Sequence, residues 1–190
     1  MSKLARVLIG AAAAVMIFTA SSLASDITIV CPEKGTLHEQ LATKEIRRYL
    51  YLRTGKLLPI IFSGEKLPAK GDLIVVGQKD GKIIRDLAAT DQKAKLSVAS
   101  LNAQQYQIKT LEFNGRKVLL IAGGDSIGTL YGTYRFIEHF GVRFYLHGDT
   151  IPDAKIPMLL PQLDEQGKPL FALRGTNPWG SHSEGIDLWN

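Results

Sequence analysis

The sequence predicts an α/β fold: a mixed β-sheet covered by two long helices, an α/β sandwich, followed by the unfinished start of a second domain. Three observations predict it. From residue 26 onward, short apolar runs bounded by Pro and Gly alternate with stretches of helical periodicity. Asn114-Gly115 between two strand-like runs marks a hairpin, so part of the sheet is antiparallel. After Asp149 the composition turns to proline and then, from Phe171, to a tail of Gly, Arg and Trp with no packing pattern.

Asp26 to Val30 alternates as a short strand that Pro32 and Gly35 end. Thr36 stands three residues before Glu39, the spacing at which each side chain satisfies the other's orphan amide in a capping box. The helix that follows places Leu37, Leu41, Ala42, Ile46, Tyr49 and Leu50 on one side and Lys44, Glu45, Arg47 and Arg48 mostly on the other, and Gly55 stops it. Leu58 to Phe62 and Leu73 to Val76 are compact apolar runs, expected as strands buried on both faces. A short helix is expected over Lys82 to Ala89. Tyr106 to Phe113 and Lys117 to Ala122 form the hairpin across Asn114-Gly115.

The run GGDSIGTLYGTYRFIEHFG then opens a second long helix, capped by Asp125 or Ser126, with Ile127, Leu130, Tyr131, Tyr134 and Ile137 at helical spacing. Gly128 and Gly132 lie on one side of it and let its backbone approach the sheet closely. Gly141 ends this helix, and Val142 to Tyr145 returns as a strand. Pro152, Pro157, Pro161 and Pro169 punctuate residues 151–169 as a linker or hairpin, which puts a domain boundary after residue 150.

Residues 1–25 read as a secretory signal peptide: Lys3 and Arg6 precede an apolar run from Val7 to Phe18, and Ala20, Ser22, Ala24 and Ser25 supply small residues for cleavage. The apolar run falls short of the roughly 20 residues that span a bilayer. The expected location is secreted or periplasmic, with no membrane attachment after cleavage. Without Lys3 and Arg6, 21 basic residues face 18 acidic ones, a net charge of +3. That charge is mild and dispersed, which argues against nucleic acid as a partner. A single cysteine excludes an internal disulfide, so packing alone must stabilise the exported domain. Oligomeric state is not legible in the sequence.

No constellation between residues 26 and 165 carries catalytic or metal chemistry. Cys31 follows a strand-like run with no histidine partner beside it and reads as a small buried hydrophobe. AGGDSIG lacks the spacing of a phosphate-binding loop, and Asp125 would repel a phosphate there, so it reads as a turn and helix cap. His38, His139, His147 and His182 are scattered, with no zinc spacing; His139 falls in the last turn of its helix, where a cation complements the dipole. Asp164 and Glu165 are adjacent and are expected in a solvated turn before Gly167. No cofactor is expected.

Candidate substrate-binding residues lie in the tail. Arg174 closes a short strand starting at Phe171, and Gly175 would let the following loop turn while the guanidinium meets carboxylates or vicinal hydroxyls. Trp179 and Trp189 offer flat apolar faces for a sugar ring, and Asn190 can donate and accept. Equally, Arg174 can be an ion-pair partner and both tryptophans core residues.

The run GDSIGTLYGTYRFIEHFGVRFYLHGDTIPD, preceded by YLYLRTGKLLPI and GDLIVVG, resembles the non-catalytic N-terminal domain that precedes the catalytic barrel in alpha-glucuronidases and beta-N-acetylhexosaminidases. FALRG looks like the first barrel strand of such enzymes. The resemblance covers nearly the whole chain after the signal peptide without separating the two families. It implies carbohydrate as the partner of the barrel, and Arg174 as the match to the arginine that binds sugar hydroxyls in the hexosaminidase pattern. It also implies that the catalytic acids sit on later barrel strands.

The expectation is an accessory N-terminal domain (26–150) of a secreted glycoside hydrolase acting on uronic acid or N-acetylhexosamine glycosides, with residues 170–190 a truncated barrel start and no catalytic acids of its own. The alternative is a stand-alone carbohydrate-binding or protein-interaction module. An enzyme complete as written is disfavoured because no nucleophile, acid pair or metal cluster is present.

Overall fold

The computed structural model describes residues 26–64 and 66–171. The segments expected as a signal peptide and as a barrel strand after Phe171, and the expected site residues Arg174, Trp179 and Asn190, lie outside them. Phe171 itself, the last described residue, is in no strand.

Among the described residues, eight strands and four helices follow in the order β1 (Ile27–Pro32), α1 (Leu37–Thr54), β2 (Ile60–Ser63), β3 (Asp72–Gln78), α2 (Lys82–Ala88), α3 (Gln92–Ala99), β4 (Tyr106–Phe113), β5 (Arg116–Gly123), α4 (Ser126–Glu138), β6 (Arg143–Tyr145), β7 (Gly148–Thr150) and β8 (Asp164–Gly167). Six strands form one sheet in the order β2-β1-β3-β5-β4-β8. The pairs β1–β2, β1–β3 and β3–β5 are parallel, while β4 is antiparallel to both β5 and β8. The sheet is therefore mixed, as expected.

Period-two alternation builds a core on each face. Ile29, Ile74, Val76, Ile108, Leu119 and Ile121 point to the layer of α1 and α4. Val30, Leu73, Val75, Val118, Leu120 and Ala122 point to the layer of α2 and α3. Helices thus cover both faces, and α3, capped by Asp91 through Ala94 N, is an element the sequence pattern did not announce.

The capping box forms as expected: the Thr36 side chain accepts from Glu39 N, and Glu39 Oε2 accepts from Thr36 N at 2.8 Å. Gly55 closes α1 at φ 74°. The buried stripe, however, is Glu39, Ala42, Thr43, Ile46, Tyr49, Leu50 and Arg53. Leu37 and Leu41 fall outside it, 83% and 41% exposed. The helix turns that way because Glu39 and Arg53 both find partners inside. Arg53 Nε donates to Phe140 O at 2.7 Å and Nη1 to Ala154 O at 2.6 Å, with a further bond to Pro152 O.

The small stripe on α4 does what its glycines predict. A Cβ on Gly128 would stand 2.2 Å from the Gln105 carbonyl oxygen, and one on Gly132 3.0 Å from Tyr106 Cβ. Gly128, Thr129, Gly132 and Thr133 are buried, and α4 lies low on the sheet. Asp125 is its cap, accepting from Gly128 N at 2.7 Å.

Three expectations are corrected. β2 is not buried on both faces: it is the sheet edge, beyond α2 and α3, which pack on β3, β4 and β5, and Ile61 and Phe62 are 39% and 53% exposed. The strand after Gly141 does not rejoin the sheet; β6 pairs with β7 as a separate hairpin. Asp164 and Glu165 stand in β8, not in a turn, and the proline-punctuated segment before them lies against the domain, with Met158 and Leu160 buried in the core under α1 and α4. The Asn-Gly turn forms as expected, with Asn114 at φ 52° and Gly115 at φ 73° between β4 and β5.

Candidate functional site

The layer of α1 and α4 carries a groove of about 820 Å³. Residues three or four apart on each helix form its walls: Glu45, Arg48 and Tyr49 on α1, and Tyr131, Tyr134, Arg135 and Glu138 on α4. Tyr106 of β4 lies between them, the β6–β7 hairpin supplies Phe144 and Asp149, and Lys168 and Pro169 after β8 complete the lining. Because α4 buries glycines and threonines, its tyrosines are left on the shoulder of the helix, facing the groove.

The hairpin is fixed at its base. Phe144 meets Tyr49 edge to face at 5.4 Å and Tyr134 at 4.8 Å. Tyr49 donates its hydroxyl to Asp149, and the Arg48 guanidinium sits 4.6 Å from the Tyr49 ring centre and 3.8 Å from the Asp149 carboxylate. Tyr134 donates to Glu45 Oε2 at 3.3 Å, joining the two helices. Burial, and then the Asp149 carboxylate, push the Tyr49 hydroxyl up to about 12. Burial likewise raises Tyr106 and Tyr134. All three stay neutral donors at ordinary pH.

Three acids (Glu45, Glu138, Asp149) and three bases (Arg48, Arg135, Lys168) line the groove. Arg135 binds Glu165 at 2.9 Å and Glu138 at 3.0 Å, and the Glu165 bond is the main cause of its raised pKa. The charges balance, and Glu45, Arg48, Asp149, Arg135 and Glu138 are paired with one another, leaving Lys168 as the one base among the described lining residues with no carboxylate partner. Such a set suits a broad contact with a neutral or mixed surface.

The chain leaves this groove under tight control. Successive residues of β8 point to opposite faces. Asp164 accepts from Lys93 at 2.7 Å, Lys109 at 2.9 Å and Gln107 at 3.1 Å on the α3 side. Glu165 accepts from Arg135 and sits 2.8 Å from His139 Nε2 on the α4 side. His139 is the C-cap residue of α4 and lies beside a carboxylate. The Tyr106 ring covers Gly167, where an added Cβ would stand 2.1 Å from Cζ. Leu170 and Phe171, the next apolar residues, are 90% and 70% exposed.

The place where a parallel sheet ordinarily takes a ligand is closed by the chain itself. After β1 the chain crosses to one face and after β3 to the other, so the carboxyl ends of these strands form a topological switch point. Glu39, 4% exposed, sits there and accepts from Gln78 N at 2.9 Å through Oε1 and from Thr36 through Oε2. A carboxylate of the protein takes the amides that a ligand's oxyanion would use. Asp125 does the same at α4. Cys31 is fully buried, and burial pushes its thiol up to about 11, which leaves it unreactive. Among the described residues, no three His, Cys, Asp or Glu side chains converge as metal ligands, and no helix is long and apolar enough to cross a membrane.

Sequence reasoning placed its site in the tail and missed this groove. Tyr131 and Tyr134 read as core positions by their spacing; only the Gly128 and Gly132 pair hinted that smaller residues would take the buried face.

The model of the glycosyl hydrolase family 67 N-terminus matches residues 19–136. Among solved structures, a family GH115 4-O-methyl-alpha-glucuronidase, BtGH115A, with specificity for decorated arabinogalactans, superposes with a TM-score of 0.53 at 21% identity. The match covers 77% of this chain and 18% of that one, so the two share a fold, and this chain spans under a fifth of the relative's length. A GH138 enzyme targeting pectin rhamnogalacturonan II reaches only a TM-score of 0.39 at 15% identity over 60% of this chain and 13% of its own. No curated protein matches the chain. The chain belongs to the family of glycosyl hydrolase family 67 N-terminal domains.

Proposed function

We propose that this domain is the non-catalytic scaffold of an exported alpha-glucuronidase-type glycoside hydrolase, and that its α1–α4 groove is the seat for the catalytic domain. The observation that carries the reading is the exit of the chain. Lys168 and Pro169 line the groove, and Leu170 and Phe171 follow them exposed, so whatever follows begins beside this face. The groove's aromatic walls and its two arginines fit a domain interface, whose buried core is rich in aromatics and Arg.

Within this reading residues 1–25 direct export, the catalytic acids lie outside this chain, and Arg174, Trp179 and Asn190 serve the sugar site of the catalytic domain. The substrate class is a uronic acid glycoside of a plant polysaccharide, in keeping with the family and with the activity named for the GH115 relative.

Gel filtration of the chain with a family 67 catalytic module lacking its own N-terminal domain tests the proposal. Co-elution as a one-to-one complex is expected; independent elution at micromolar concentration overturns it. A second reading, a stand-alone carbohydrate-binding module, is favoured by the five aromatic rings of Tyr49, Tyr106, Tyr131, Tyr134 and Phe144 in one groove. Calorimetric titration with glucuronoxylan oligosaccharides separates the two, since only that reading expects heat in the absence of the module.

A further inference from the structure

The β6–β7 hairpin contains a turn that local chemistry does not explain. Tyr145 pairs with Gly148, which leaves Leu146 and His147 as a two-residue loop. Such loops favour Asn, Asp and Gly, and the same chain uses Asn114-Gly115 at its other hairpin. Here Gly148, at φ 128°, takes the strained backbone, and neither Leu146 nor His147 has positive φ. The two tip positions are therefore free of conformational demand, yet the apex holds leucine. Leu146 is 97% exposed and Tyr145 54%.

The tip is also pre-ordered. Tyr145 and His147 stack with ring planes 3° apart and centroids at 5.4 Å, one on each side of Leu146. At the base, Phe144 is wedged between Tyr49 and Tyr134, and Asp149 is held by Tyr49 and Arg48. The stem that carries this apolar knob is held by its own side-chain contacts, which favours the knob's use as an anchor. A flat sugar face would be met by an open ring; here the two rings face each other and the apex is aliphatic, which fits a protein socket.

We propose that the β6–β7 hairpin is a docking arm whose Leu146 inserts into an apolar socket on the catalytic domain, flanked by Tyr145 and His147. The inference rests on the groove being the seat of that domain. Its own support is the arm's position: its base residues Phe144 and Asp149 line the same groove as Lys168 and Pro169, so a body starting after Phe171 and covering the groove meets the arm.

The test measures association between the full 190-residue chain and the family 67 catalytic module used above, for the unaltered chain, Leu146→Asp, Leu146→Ala and Leu96→Asp. Leu96 is 62% exposed on α3, away from the groove, and serves as the control. Thermal unfolding of every variant confirms folding, and Leu146, almost wholly exposed, is expected to leave it unchanged. The expected result is association weakened about tenfold or more by Leu146→Asp, less by Leu146→Ala, and not at all by Leu96→Asp. Unaltered association of Leu146→Asp overturns the arm while leaving the seat standing. Failure of the unaltered chain to associate overturns the seat and the arm together.

Discussion

The Arg53 guanidinium reaches from the last turn of α1 to the carbonyl of Phe140 just past the end of α4, at 2.7 Å, and pairs with no carboxylate among the described residues. Its Nη1 holds the carbonyls of Pro152 and Ala154, and Ile156 N donates back to Arg53 O at 2.9 Å. One cation thus joins both long helices to the segment that leads to β8. Arg53→Met removes these donors and leaves the buried carbonyl of Phe140 unpaired. A loss of about 3 kcal/mol in urea-unfolding free energy is expected, and a loss below about 1 kcal/mol would show that the segment is held by its apolar residues alone.

Acid weakens the hold on β8. Lys93 first, then Lys109, lower the pKa of Asp164 below the ordinary aspartate range. A carboxyl with a depressed folded-state pKa adds stability that is present above its unfolded value, about 3.9, and is lost as pH falls through the lower folded value. Stability should therefore fall on acidification below about pH 4, and Asp164→Asn should flatten that part of the curve. Because Asp164 is 39% exposed at its side chain, the difference at neutral pH is expected to stay within about 1 kcal/mol. Thermal midpoints between about pH 2 and 7 check this; parallel curves for the two proteins would contradict it.

Two neighbours on α4 should respond in opposite directions. Gly128→Ala gains helix propensity of about 1 kcal/mol but drives a Cβ to 2.2 Å from the Gln105 carbonyl oxygen. The net result should be a loss of about 1 to 3 kcal/mol. The Thr133 hydroxyl is buried without a hydrogen-bond partner. Thr133→Val keeps the shape and removes an unpaired polar group, so stability should rise by about 1 kcal/mol. Calorimetric unfolding of both variants tests the pair.

Exposed aromatic walls in the isolated domain should take up an apolar dye. Tyr131 is 37% exposed at the groove, and Tyr131→Ser together with Phe144→Ser should cut dye fluorescence by more than about half if the groove is the main exposed apolar surface. Dye binding unchanged in the double variant would place that surface elsewhere, for example at Ile61 and Phe62 on the β2 edge.

The sequence showed the strands whose neighbours are local or whose pattern is unmixed. Asn114-Gly115, the Thr36–Glu39 box and the Gly128–Gly132 approach all follow from short-range chemistry. Long-range partners were not legible. Nothing near Asp164 announces Lys93 and Lys109, which lie 71 and 55 residues away, so a strand joined to the sheet edge by ion pairs reads as a polar turn. Likewise, apolar spacing alone assigned Leu37 and Leu41 to the core of α1. The face was set instead by Glu39 and Arg53, whose carbonyl and amide partners come from β3 and residues 140–154. The groove escaped notice for a related reason, since its tyrosines share the period of a core stripe that glycines and threonines in fact occupy.

Hydrogen exchange on the chain alone, and again mixed with the family 67 catalytic module, puts the seat itself to the test. Slowed exchange is expected at residues 45–49, 131–138 and 143–150, with α2 and α3 unchanged. Protection confined to α2 and α3, or none at all, would contradict the assignment of the α1–α4 groove as the seat of the catalytic domain.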